Sequence, residues 1–75
     1  MLLYQTFAER RYNRESGEYI AYGLKVFESG AEGSPLKIVP DISVDRDAVV
    51  QLARKCTAGQ LSLLHLEDVI EDFIS

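Results

Sequence analysis

Apolar positions recur along this chain with two different periods, two residues as far as Val39 and 3.6 residues after Ser43. From Leu2 to Tyr12 the alternation is loose. Leu2, Tyr4, Thr6, Ala8 and Tyr12 share one parity, Leu3 and Phe7 the other, and these residue types suit a pleated surface. A first strand is predicted there. Arg14-Glu15-Ser16-Gly17 follows, with Gly17 able to supply the positive φ that a short hairpin loop needs. Glu18 to Glu28 carries the strongest strand pattern. Ile20, Tyr22, Leu24 and Val26 form one apolar parity, predicted to face the core. Tyr19, Ala21, Gly23, Lys25 and Phe27 form the other, which is too apolar for a freely solvated face. This reads as a central strand with its second face partly covered, and Gly23 marks a bulge or a close approach by another element.

Ser29 to Pro35 holds two glycines and a proline and is read as a mobile hairpin connection. It lacks the Lys-Ser/Thr pair and the following helix start of a phosphate-binding loop. Leu36 to Val39 makes a short strand that Pro40 ends, in keeping with a sheet edge. The period then changes. Ser43 is the expected N-cap of a first helix, with Asp45 and Asp47 in its first turn and Arg54 and Lys55 in its last, where the dipole favours them. Val49, Leu52, Ala53 and Cys56 form its buried stripe, and Gly59 is placed to be the left-handed residue at its end. After Gln60 and Leu61, Ser62 caps a second helix. Its apolar stripe is Leu63, Leu66, Val69, Ile70, Phe73 and Ile74, opposite Glu67, Asp68, Glu71 and Asp72. The predicted fold is α+β in a single domain over residues 1–75. A three-stranded antiparallel β-meander (about 2–12, 18–28 and 36–39) is followed by a helical hairpin (about 44–58 and 63–74). The order is βββαα, with the helices on one sheet face.

Length sharpens this picture. A chain of 75 residues builds one core and buries only about 60% of its unfolded surface, so a domain this small usually needs a staple. Cys56, the one cysteine, forms no internal disulfide, and no Cys/His cluster offers a structural zinc site. Self-association as a homodimer is the staple left. The start of the chain has no basic-then-apolar export pattern, and no apolar run reaches the roughly 18 residues of a membrane span. With a lone cysteine, that leads to the expectation of a soluble cytoplasmic protein. Net charge is −4 and unevenly placed. Five basic and five acidic residues balance up to Pro40; beyond it three basic residues face seven acidic ones. Such a surface repels nucleic acid and anionic membranes and favours a basic protein partner.

The acidic face of the second helix is the sharpest chemical feature. Glu67 and Glu71, and Asp68 and Asp72, are like-charge neighbours four residues apart. Each pair costs a few tenths of a kcal/mol, and no lysine within the helix relieves them. The face is read as solvated or as a docking surface. A divalent-metal site is disfavoured because four carboxylates on one bare helix face make no enclosing cage. His65 lies one turn before Asp68, so an imidazole–carboxylate contact is geometrically open, but no nucleophile or pocket accompanies it. Cys56 reads as a small buried hydrophobe rather than a reactive thiol. Arg10, Arg11 and Arg14 with Tyr12 sketch a basic-aromatic patch that Glu9, Glu15 and Glu18 neutralise.

At Asp41-Ile42-Ser43, Val49, Leu52, Ser62, His65-Leu66, Asp68-Val69 and Glu71-Asp72-Phe73 the sequence resembles a family of small uncharacterised bacterial proteins, a domain of unknown function. In such relatives a proline often follows the serine matching Ser62; here it is Leu63. The resemblance covers the C-terminal half well and the strands in outline, and implies no activity. The functional expectation is a non-enzymatic interaction or regulatory module without a cofactor. It self-associates and presents His65, Glu67, Asp68, Glu71 and Asp72 to a basic partner. The alternatives are a small metal-assisted or acid–base enzyme using His65, Asp68 and Asp72, and a nucleic-acid-associated regulator.

Overall fold

In a computed structural model, residues 1–30 and 33–74 are described, and the elements follow the predicted order. Strands β1 (Leu2–Asn13), β2 (Gly17–Glu28) and β3 (Lys37–Ser43) precede helices α1 (Arg46–Ala58) and α2 (Leu63–Ile74). The strands form one antiparallel sheet in the order β1-β2-β3, and the helices contact the sheet. β1 and β2 pair without a break from Leu2 opposite Glu28 to Asn13 opposite Gly17. Their turn is closed by the Asn13 side chain, which accepts the Glu15 N–H at 2.8 Å, and by Gly17 at φ 78°. Of the Ser29–Pro35 connection, Ala31 and Glu32 lie outside the described residues, as does Ser75.

β3 departs from expectation. Instead of stopping at Pro40 it runs on to Ser43. Leu24 pairs with Val39 and Tyr22 with Ser43, so Pro40, Asp41 and Ile42 bulge out opposite Gly23. Proline is tolerated because an edge strand has one side with no ladder to serve. Asp41 adopts φ 56°, a left-handed conformation that Asp reaches more easily than most residues, and the bulge returns Ile42 to the core. A Cβ on Gly23 would lie 2.3 Å from the Val39 carbonyl oxygen and 2.9 Å from Pro40 Cα. The expected close approach at this glycine is therefore β3 itself. Phe7 packs over the same spot, and Lys25 Nζ sits 4.8 Å from the centroid of the Phe7 ring. The second sheet face is covered by its own side chains, enough to bury Ala21 completely.

On the other face the core joins Tyr4, Leu24, Val26 and Ile42 to Val49, Leu52, Ala53 and Cys56 of α1 and to Leu66 and Ile70 of α2. The predicted α1 stripe is the buried one. Ile20, expected in this core, is instead 44% exposed. The reason is reach. A helix of 13 residues spans about 20 Å and a strand of 12 about 40 Å, so the distal half of the hairpin outruns its cover. The longest extent of the molecule is 40 Å, the length of such a strand.

Both ends of α1 also differ from expectation. Asp45, not Ser43, is the N-cap, accepting the Ala48 N–H at 3.2 Å. Ser43 Oγ instead accepts the Asp45 N–H at 3.0 Å and shapes the approach to the cap. Gly59 is right-handed at φ −85°, and the left-handed residue is Gln60 at φ 48°. The shift by one residue turns the Gln60 side chain back to the sheet, where its amide bonds both backbone groups of Leu2.

Candidate interaction surfaces

Ser62 caps α2 as the sequence suggests: its Oγ accepts the Leu64 N–H at 3.2 Å and its carbonyl accepts the His65 N–H at 3.0 Å. With Leu66 and Ile70 turned into the core, the helical phase sets Glu67, Asp68, Glu71 and Asp72 on the exposed side. The cation that the helix lacks comes from β3, where Lys37 Nζ stands 3.3 Å from Glu67 Oε1. Glu67 is 78% exposed, so water screens this pair and its contribution is at most about 1 kcal/mol. Two apolar residues frame the acidic face. Leu64, one turn before Asp68, is 88% exposed, and Ile74, one turn after Glu71, is 61% exposed. Ile74 was expected on the buried stripe. Four residues of helix rotate it about 40° past Ile70, towards the acidic side.

His65 is exposed, and among the described residues it makes no hydrogen bond or ion pair with Asp68. Among the described residues no three His, Cys, Asp or Glu side chains gather into a metal-holding group. Three surface hollows, of about 600, 320 and 250 Å3, lie beside β1, beside β3 and between α1 and α2. None is lined by His65, Asp68 or Asp72; Glu67 and Glu71 border the second. No helix of the described residues is long and apolar enough to cross a membrane.

The remaining titratable candidates are structural. Cys56 is buried and unpaired, and burial pushes its thiol above the ordinary 9.0. Tyr4 reaches across the core to donate to the Leu61 carbonyl. Burial, then the nearby Cys56, raise its hydroxyl above 10.0. Arg11 bonds Glu9 and lies 3.4 Å from Asp41, and its hydrogen bond to Glu9 makes the guanidinium hold its proton more firmly. Arg10, Arg14 and Tyr12 stand exposed. The arginine patch is thus split, with Arg11 drawn to the far sheet face.

One feature escaped the sequence pattern. The outward backbone groups of Leu2 and Tyr4 in β1 are bonded by side chains from the last turn of α1 and the residues just after it. Thr57 Oγ1 accepts the Tyr4 N–H at 3.0 Å and donates to the Tyr4 carbonyl at 3.4 Å. Gln60 Oε1 accepts the Leu2 N–H at 2.8 Å, while Nε2 donates to the Leu2 carbonyl at 3.0 Å. These two side chains imitate a fourth strand for three residues and then stop. Their only trace in the sequence is a polar pair beside the otherwise apolar Cys56 and Leu61.

The whole chain, residues 1–75, matches a family of unknown function, DUF6514, and the protein belongs to it. No curated protein and no solved structure shows significant similarity to the chain.

Proposed function

With membership of a family of unknown function as the premise, we propose that this domain is a non-enzymatic protein-interaction module, working in the cytoplasm. It associates with copies of itself and docks a basic protein through the face of α2 that carries Glu67, Asp68, Glu71 and Asp72. The observation that carries the docking reading is the composition of that face: four carboxylates on exposed positions, framed by the exposed apolar Leu64 and Ile74. Leu64 and Ile74 supply apolar area that a partner can desolvate beside the carboxylates, and the carboxylates supply the complementary charge that orients it. The placement of the unpaired thiol of Cys56 in the core is consistent with a reducing compartment.

The test is affinity capture with crosslinking from the native cell, repeated with Glu67→Lys and Glu71→Lys combined. A basic partner crosslinked to α2 is expected, released as salt is raised and lost with the double reversal. Capture that survives the reversal unchanged would mean that these carboxylates are merely solvated.

A further inference from the structure

The two free edges of the sheet are unlike. On β3 the ladder is interrupted by Pro40 and by the bulge at Asp41, both of which discourage pairing with another strand. β1 has no proline, and its pairing with β2 is unbroken over all 12 residues. Because Leu2 and Tyr4 turn their backbone N–H and C=O outward, the two-residue period turns those of Thr6, Ala8, Arg10 and Tyr12 outward as well. Thr57 and Gln60 serve the first two positions. Among the described residues nothing bonds the outward backbone groups of the last four. The open stretch is also the part of the hairpin that the helices fail to cover, with Tyr12 72% exposed.

We propose that a second copy of this chain pairs antiparallel with that open edge, β1 to β1 about a two-fold axis at Arg10, to give a continuous six-stranded sheet. This rests on the interaction-module reading and names its self-association surface. Charge selects the register. With the axis at Arg10, Glu9 of each copy stands directly opposite Arg11 of the other, in the closer-spaced class of cross-strand pair, and Ala8 opposes Tyr12. Arg11 already bonds Glu9 and approaches Asp41 in its own chain, so two copies build one network of alternating sign. The register has one like-charge pair, Arg10 with its own copy, at the axis. Moving the axis to Glu9 opposes the two Glu9 residues and loses both attractive pairs. Moving it to Ala8 runs Tyr12 into the Tyr4 edge that Thr57 occupies. The chosen register sets Arg14 of the second copy opposite Thr6. Its turn then lies beside the hollow of about 600 Å3 lined by Gln5, Thr6, Val50, Ala53 and Arg54, with Glu15 in the neighbourhood of Arg54.

Two variants of the full chain test this. Ala8→Pro removes an outward N–H, leaves every β1–β2 hydrogen bond in place, and suits an edge strand. Sedimentation equilibrium from micromolar to millimolar concentration should show a dimer of the unaltered chain. Its dissociation constant should rise about tenfold or more in Ala8→Pro, with circular dichroism unchanged. Arg10→Cys sets two thiols directly opposite at the axis, with Cα atoms about 5.5 Å apart, inside disulfide range. Mild oxidation should lock that variant as a dimer. Tyr12→Cys should not lock, because its two copies stand roughly 14 Å apart. A monomer at every concentration overturns the proposal, and so does a dimer that tolerates a folded Ala8→Pro. Locking of Tyr12→Cys in place of Arg10→Cys overturns the register. None of these outcomes touches the α2 face, so its docking role stands or falls separately.

Discussion

Gly23→Ala is the substitution whose sign tests the packing directly. In an ordinary strand interior, replacing glycine by alanine stabilises by roughly 0.5–1 kcal/mol, because the unfolded chain loses less freedom on folding. Here the added methyl would sit 2.3 Å from the Val39 carbonyl oxygen and 2.9 Å from Pro40 Cα, with the Phe7 ring at 3.0 Å. Phe7 can swing aside. The other two are backbone, and they are held. The Pro40 ring fixes its own φ, Asp41 is already left-handed, and Ile42 is anchored in the core on the far side of the bulge.

Relief therefore requires β3 to withdraw by about 1 Å, which disturbs the pairs on both sides of the bulge. Overpacking of this kind costs about 1–3 kcal/mol and more where the contact cannot yield, so about 3 kcal/mol is expected. A domain of 75 residues has roughly 4–11 kcal/mol in all, and the loss corresponds to a fall in melting temperature of about 12–24 °C. Thermal unfolding followed by circular dichroism measures it. A melting temperature that rises, or falls by less than about 4 °C, would refute the crossing of β3 over Gly23.

Three further predictions concern the sealed end of the β1 edge and the core behind it. Thr57→Val keeps shape but leaves the Tyr4 N–H without its side-chain acceptor, and should lower stability by about 1–2 kcal/mol; Gln60→Ala, at a more exposed site, should cost about 1 kcal/mol. Urea titration with unchanged m-values would check both. Stability should also fall as pH rises above about 9. Cys56 and Tyr4 both have folded pKa values raised by burial, so the unfolded chain loses their protons first, beginning near the ordinary 9.0 of the thiol and then 10.0 of the phenol. Their contribution is complete below those values and disappears as pH climbs through the folded ones. A urea midpoint that stays flat from pH 7 to about pH 10.5 would contradict that linkage.

What was legible in the sequence was whatever a single period determines. The α1 stripe of Val49, Leu52, Ala53 and Cys56 and the special role of Gly23 follow from counting residues within one element, and the order of three antiparallel strands before two helices follows from the succession of periods. The errors arise where one element meets another. Ile20 has the right parity for the core, but parity does not say how far along a 12-residue strand a helix will reach. Pro40 signals an end only if the strand has no solvent side on which to lose a donor. Ser43 and Asp45 are both good caps, and geometry at the bulge chooses between them. The edge seal by Thr57 and Gln60 joins residues more than fifty positions apart. No local pattern encodes it.

The acidic face of α2 was legible as a charge pattern, but charge alone is too weak to make it a binding site. Its two like-charge pairs, Glu67 with Glu71 and Asp68 with Asp72, cost the helix about 0.2–0.5 kcal/mol each. A cation that neutralises the face recovers about 0.4–1 kcal/mol, no more than a two- to fivefold gain in affinity. Lys37 already takes part of it at Glu67. Specific docking needs an apolar contact that excludes water, and on this helix two residues offer one. Leu64 and Ile74 lie on the rim of the acidic face and are among the exposed large hydrophobic side chains of the domain. The correction at Ile74 therefore bears on function. A residue assigned by its period to closing the core is instead turned outward beside the carboxylates, where a partner would need it.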